Sequence, residues 1–165
     1  MTSAAHLVCF RIGKENFGVD IFSVREIVKA REITPVPGTA EHVLGIINLR
    51  GKIISVVDLA QRLGLGAATV DRQSRIFVVD LEGVRVGFLV DAATEVLKLP
   101  GESIEPAPEE LKGSIRDHYL QGVGKLENRL VIILDLRNLF VEGEVESIDA
   151  VAGESGRVTR ASAAT

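Results

Sequence analysis

The residues of this chain that could do chemistry are thinly spread, and their spacing excludes most reactions. Three histidines, His6, His42 and His118, stand far apart. None forms an i, i+4 pair or joins a carboxylate cluster, so the pattern reads as ordinary surface placement rather than metal ligation. Cys9 is the only cysteine. It rules out a disulfide framework and a cysteine-rich zinc site. Its place in an alternating apolar run favours a buried structural thiol over a nucleophile. No Gly-x-Ser-x-Gly elbow occurs. Gly45 to Gly51-Lys52 has the outline of a phosphate loop, but the spacing is one residue too long. Ile53 also stands where the metal-binding hydroxyl belongs. Asp58 and Asp135 are a candidate carboxylate pair, yet each precedes a short helical pattern, and capping of helix amides accounts for both. With no localised constellation of acid, base and nucleophile, the expectation is a protein that is not an enzyme and needs neither cofactor nor metal.

The elements that carry these residues must come from 165 residues, 46% hydrophobic and only 4% aromatic, with a net charge of −4. That length suits one ordinary domain or two very small ones, with a core drawn mainly from Val, Ile and Leu. The acidic balance and scarce aromatics count against a small-barrel nucleic-acid binder, which needs a basic face with stacking rings. The longest uninterrupted apolar run, Leu130–Leu134, falls far short of the ~20 residues that span a bilayer. The first residues show no basic stretch leading into an apolar one, so no export signal is expected. The expected location is the cytoplasm.

Short β-branched runs separated by glycine dominate. Leu7–Ile12, Phe17–Ile21, Ile53–Val57, Ile76–Leu81, Val84–Val90, Val96–Leu99 and Leu130–Leu134 read as strands, with Glu82-Gly83 as a hairpin turn. Phe22–Val28 fits a short helix or an irregular strand. Asp58–Gly64 and Asp135–Phe140 read as capped short helices. From Glu142 onward the chain turns small and polar, and residues 142–165 are expected to be a disordered tail.

The two halves match. Gly18 to Ile27 aligns with Gly87 to Val96 at an offset of 69, and Ile33–Pro37 with Ile104–Pro108 at 71. Gly45 to Leu59 aligns with Gly122 to Leu136 at 77. The order is kept and the offsets drift slowly, as a duplication with one loop insertion requires. A unit of about 70 residues buries little surface alone. The expectation is therefore two small β-barrels of about five strands, packed on a shared apolar seam with a groove between them. The halves differ most where Asn48-Leu49-Arg50-Gly51 aligns with Lys125-Leu126-Glu127-Asn128. A rewritten loop on a kept scaffold is where recognition sits. Glu26 and Arg50 are either a charge pair beside that loop or two separate solvated charges.

On these residues the chain resembles the CheW-type chemotaxis coupling proteins. The segments that carry the likeness are Phe17-Gly18-Val19-Asp20-Ile21 with Val24-Arg25-Glu26-Ile27, the Gly45-Ile46-Ile47-Asn48-Leu49-Arg50-Gly51 block, and Ile54–Leu59. Val86–Asp91 and Tyr119–Gly124 continue it. Ser55 and Ala60 depart from the family, which often has Pro and a basic residue there. The resemblance spans about residues 6–141 and implies two intertwined, five-stranded SH3-like barrels, roughly 17–80 and 81–141 with the N-terminal strand shared. It implies a non-catalytic adaptor between the helical cytoplasmic tip of chemoreceptors and the CheW-like regulatory domain of the histidine kinase CheA. Such an adaptor is monomeric alone and recruited to receptor arrays at the inner membrane. The partner-binding residues it implies are Val24, Gly45, Gly87 and Ala93 in a receptor-facing groove, with Glu26 and Arg50 as paired charges and Asn48 in the adjoining loop. Gly45 and Gly87 would then let a helix approach closely. A coupling protein of a non-flagellar chemosensory pathway fits the same residues equally well.

Overall fold

The structure, a computed structural model, describes residues 4–30, 32–106, 119–140, 144–145 and 147–153. His118, Ala107-Pro108 and the parts of the tail at 142–143, 146 and 154–165 lie outside the described residues. Eleven strands carry the described fold. They are β1 (Ala5–Ile12), β2 (Glu15–Asp20), β3 (Val24–Lys29), β4 (Val43–Leu49), β5 (Lys52–Asp58) and β6 (Arg75–Leu81), then β7 (Val84–Val90), β8 (Ala92–Leu99), β9 (Ile104–Glu105), β10 (Leu120–Leu126) and β11 (Arg129–Leu134). The ambiguous stretch after β2 is a 3-10 turn, Ile21–Ser23, whose Phe22 amide donates to Asp20 Oδ1 at 2.9 Å, followed directly by β3. Asp58 caps the short helix α1 (Leu59–Arg62): its carboxylate accepts the Gln61 and Ala68 amides at 3.4 and 2.9 Å. Asp135 accepts the Arg137 amide at 3.1 Å at the equivalent strand end. Both aspartates are caps, not a catalytic pair.

The strands form two sheets, a five-stranded one ordered β3-β6-β7-β5-β4 and a six-stranded one ordered β8-β1-β2-β11-β10-β9. The duplication holds down to individual pairings. Ser55 faces Val86 across parallel β5 and β7, and Ile132 faces Phe17 across parallel β11 and β2. Each member of the second pairing is the repeat equivalent of one in the first. A register shift separates the Val24–Val79 and Glu26–Val78 pairings, and it recurs between the equivalent Ala93–Phe10 and Glu95–Cys9 pairings. The single bridge Thr34–Ile46 corresponds to Glu105–Val123 in β9 and β10. The sixth strand of the larger sheet is thus the counterpart of that bridge, lengthened by one residue.

Three expectations need correction. First, the division at 80/81 does not separate the sheets. The hairpin β6–β7 is inserted between β3 and β5, and the hairpin β1–β2 between β8 and β11. By the repeat, each half lends its partner half a hairpin.

Second, the centre of the seam is filled, and an open crevice of about 380 Å³ lies between the β1–β2 turn and the segment after α1. Alternate residues of β1 point to opposite faces. Leu7 and Cys9 join a small cluster with Leu99, Val131 and Ile133 inside the six-stranded sheet. Val8, Phe10 and Ile12 face the other way, into a larger cluster with Phe17, Phe77 and Phe88. The few aromatics are concentrated there, since wide rings fill the gap between two curved sheets that aliphatic side chains would leave partly empty.

Third, the tail does not begin at 142. Residues 144–145 and 147–153 are helical, and Ile148 and Ala152 are buried. Three apolar residues, Val145, Ile148 and Ala152, are spaced to lie along one side of that helix, enough to dock it without the sustained period expected of a longer one.

Burial at 2% exposure pushes the Cys9 thiol above its ordinary value, with Arg129 pulling weakly the other way. Thiol-reactive dye added to the native chain should therefore label Cys9 at least about 100-fold more slowly than in denaturant. Equal rates in both conditions would contradict the placement.

Candidate functional site

The sheet order puts β3 and β4 at the edges of the smaller sheet, with β4 partly covered by the Thr34 bridge. Glu26 lies on β3, where alternate residues are half-buried and exposed, and its own side chain is half-buried. Arg50 sits in the two-residue turn joining β4 to β5. That turn needs left-handed backbone to match strand twist, and Arg50 adopts it at φ 52, followed by Gly51 at φ 85. Asn48 stabilises the turn, its Oδ1 accepting the Gly51 amide at 2.8 Å. The guanidinium of Arg50 then donates to Glu26 Oε1 at 2.5 Å. The pair reaches from one edge to the turn at the other, so the sheet must curl until its edges nearly meet. No hydrogen-bond ladder joins β3 to β4 among the described residues; the side chains span the gap instead.

The electrostatics follow from that contact. The hydrogen bond from Arg50 holds the Glu26 carboxyl below its ordinary value, with Arg25 and Arg85 adding to it and partial desolvation opposing. Arg50 is raised by the same bond. Arg25 is itself paired with Asp80 at 2.8 Å on the adjoining β6. The Glu26–Arg50 pair is open to solvent, so it contributes little to stability and is available for recognition. Ile27, next in sequence and on the opposite face of β3, is an exposed aliphatic.

The other expected residues separate from this group. Val24, at the start of β3, is half-buried against the shared core. Ala93 is exposed on β8, the free edge of the other sheet and the repeat counterpart of β3. Gly45 and Gly87 are both buried, and neither offers an open approach. A Cβ on Gly45 would lie 2.0 Å from the Thr34 carbonyl oxygen, and one on Gly87 would lie 2.8 Å from Ile76 Cγ2. Their missing side chains make room for the chain's own segments. The idea that they admit a partner helix is corrected accordingly.

A second clasp escaped sequence reading. Glu95, the repeat equivalent of Glu26, pairs with Arg129 on β11. Aligned by repeat, Glu127 replaces Arg50 and the pair looks lost. The cation has moved two residues along, to the position equivalent to Lys52. Conserved spacing between Glu26 and Glu95 was the available signal. Exposed Val96, equivalent to Ile27, and exposed Leu130 flank this second clasp in sequence. No group of three His, Cys, Asp or Glu side chains suited to a metal occurs among the described residues. No helix among them is long and apolar enough to cross a membrane.

Comparison with known proteins gives a consistent pattern. The family model described as "CheW-like domain" matches residues 6–144. The probable chemotaxis protein CheW of Rhizobium etli is 36% identical over 141 residues, covering 86% of this chain and 90% of that protein. The chemotaxis protein CheW of Klebsiella aerogenes is 32% identical over 151 residues, covering 92% and 90%. The crystal structure of the scaffolding protein TtCheW from Thermoanaerobacter tengcongensis superposes with a TM-score of 0.75. It is 40% identical and covers 87% of this chain and 90% of that one.

Proposed function

The chain belongs to the CheW-like family of chemotaxis scaffold proteins, and from that premise we propose that it couples chemoreceptors to the histidine kinase CheA in the cytoplasm, at receptor arrays, without catalysing a reaction. The observation that carries the docking surface is the Glu26–Arg50 clasp across the open edge of the five-stranded sheet. A charged pair at a curled sheet edge, with half-buried Val24 on the same face of β3, offers a helix both an apolar contact and a polar rim. Asn48 serves this surface by holding the turn that presents Arg50. Ala93 lies on the equivalent edge of the second sheet and extends the surface there. Gly45 and Gly87 act from inside, by shaping the sheet under it. Weak individual contacts of this kind gain strength when receptors, kinase and scaffold assemble together.

Reconstitution with a receptor cytoplasmic hairpin and the kinase tests the reading. The chain should co-sediment with both and change kinase activity; no co-sedimentation with unchanged activity would sink the proposal. Within the same assay, Glu26→Arg and Arg50→Glu should each weaken receptor association about 5- to 50-fold. The double exchange should recover part of that loss. Strict additivity of the two single effects would show that the residues do not act as a pair.

A further inference from the structure

The C-terminal helix, at 144–145 and 147–153, is held against the sheets by an unusual set of groups. Ser55 of β5 is 1% exposed, and its hydroxyl donates to the Ile148 carbonyl at 2.6 Å. This explains the departure at Ser55, since proline there has no hydroxyl to give. Arg62, at the end of α1, donates to the Leu139 carbonyl at 2.8 Å from Nε and 2.5 Å from Nη2. Its Nη2 also reaches Glu144 Oε1 at 2.9 Å, and its guanidinium lies 5.3 Å above the Phe140 ring. His42, just before β4, completes the group. Its Nε2 is buried without a hydrogen-bond partner and stands 4.0 Å from Glu144 Oε2.

We propose that His42, Arg62 and Glu144 form a proton-sensitive catch on the C-terminal helix: the helix stays docked while the imidazole is neutral, and protonation of His42 releases it. The docked site is hostile to a second cation. The imidazole side chain is only 14% exposed, Arg62 already holds Glu144, and Phe140 lies 6.3 Å from its ring. Among the described residues the charged groups bearing on the ring are Arg62 from α1 and Glu144 from the helix itself. Burial, then Arg62, hold the imidazole below its ordinary value, and the opposing pull of Glu144 is the smallest of the three.

The sign follows. A released helix leaves His42 hydrated, near the ordinary value of about 6.5, so the released state binds the proton more readily than the docked state. Docking is therefore strongest above that value and weakens as pH falls below it. Each unit by which docking depresses the imidazole corresponds to about tenfold in the docked-to-released ratio. An open crevice of about 290 Å³ between Val36–Ala40 and the helix, lined by His42, Val43, Ile148 and Val151, gives water a route to the ring.

Nuclear magnetic resonance on the isotope-labelled full chain, from about pH 7.5 to about pH 5.5, tests the catch. The His42 ring signals and the Ile148 and Ala152 amides should titrate together, with a midpoint below that of free imidazole and a several-fold fall in the docked-to-released ratio. In His42→Gln the helix amides should show no such transition. A His42 titration with unmoved helix amides would overturn the proposal, as would helix docking that tightens on acidification. A transition that survives unchanged in His42→Gln would also overturn it. Should that variant fail to fold, co-titration in the unaltered chain decides alone.

Discussion

Gly45→Ala is expected to destabilise the domain by about 3–5 kcal/mol, measured by equilibrium denaturation. Two causes add. The backbone at Gly45 has φ +147, which side chains with a Cβ rarely adopt. The new Cβ would meet only backbone: the Thr34 oxygen at 2.0 Å, the Thr34 carbonyl carbon at 2.7 Å and Pro35 Cα at 2.9 Å. Backbone cannot rotate aside as a flexible side chain can, so the 33–35 segment must lift from β4. Lifting it breaks both hydrogen bonds of the Thr34–Ile46 bridge, each 2.9 Å. Two such bonds are worth about 2 kcal/mol net, and the strained backbone adds about 1–3. Gly122→Ala is the internal comparison. Its Cβ would approach Glu105 oxygen at 2.9 Å, a milder intrusion without the left-handed backbone, and should cost clearly less. A Gly45→Ala variant within about 1 kcal/mol of the unaltered chain would show that the close approach is absent.

This result also changes how Gly45→Asp should behave. A glycine that only admitted a partner helix would let that substitution weaken receptor association and spare the fold. The structure makes it a folding lesion first. Loss of receptor association in Gly45→Asp should track the unfolded fraction and recover when the fold is stabilised by osmolyte. A glycine in sequence marks either a backbone turn, as at Gly51, or a place where a Cβ does not fit, as at Gly45. It does not say from which side the space is taken. For Gly45 and Gly87 the neighbour is internal, and only coordinates reveal that.

The same limit explains the rest of what sequence reading reached and missed. The duplication was legible because glycines, prolines and aspartates sit at turns, bridges and caps, where few other residues serve. The repeated register shifts at Gly45 and Gly122 fall on that punctuation. The exchange of hairpins was not legible, because β1–β2 and β6–β7 are near-equivalent partners. Pairing within a half and pairing between halves satisfy the same alternation of apolar residues, so periodicity has no preference. The Glu26–Arg50 pair stayed open for a related reason. Twenty-four residues of separation carry no contact information; the curl of the sheet brings the two together. The second clasp was hidden because its cation sits two positions further along, on β11 rather than in the turn, where alignment of the repeats places Glu127 against Arg50.

Phe10→Ala is expected to cost about 3–5 kcal/mol and to unfold both sheets in one transition. Phe10 is 1% exposed at the centre of the seam, stacked on Phe17 at 5.7 Å and edge-on to Phe77 at 5.2 Å. Phe10 and Phe17 belong to the hairpin β1–β2 in the larger sheet, and Phe77 to β6 in the smaller one. Truncation therefore opens a cavity at the point where each half's lent hairpin meets the other. The six-stranded sheet is completed by the N-terminal hairpin β1–β2, whose chain runs on into β3 of the five-stranded sheet, so the two sheets are tied by connection as well as by packing. Spectroscopic probes placed separately in β4 and β10 should report the same denaturation midpoint in the unaltered chain and the same lowered midpoint in the variant. Phe22→Ala is the contrast: that ring is 87% exposed on the 3-10 turn, and its removal should change stability by less than about 0.5 kcal/mol. Two separated midpoints, one for each sheet, would mean that the seam couples nothing and that the halves fold independently. A shared midpoint makes the seam the feature on which every docking surface of this scaffold depends, since a loss in one sheet is then felt at the edge of the other.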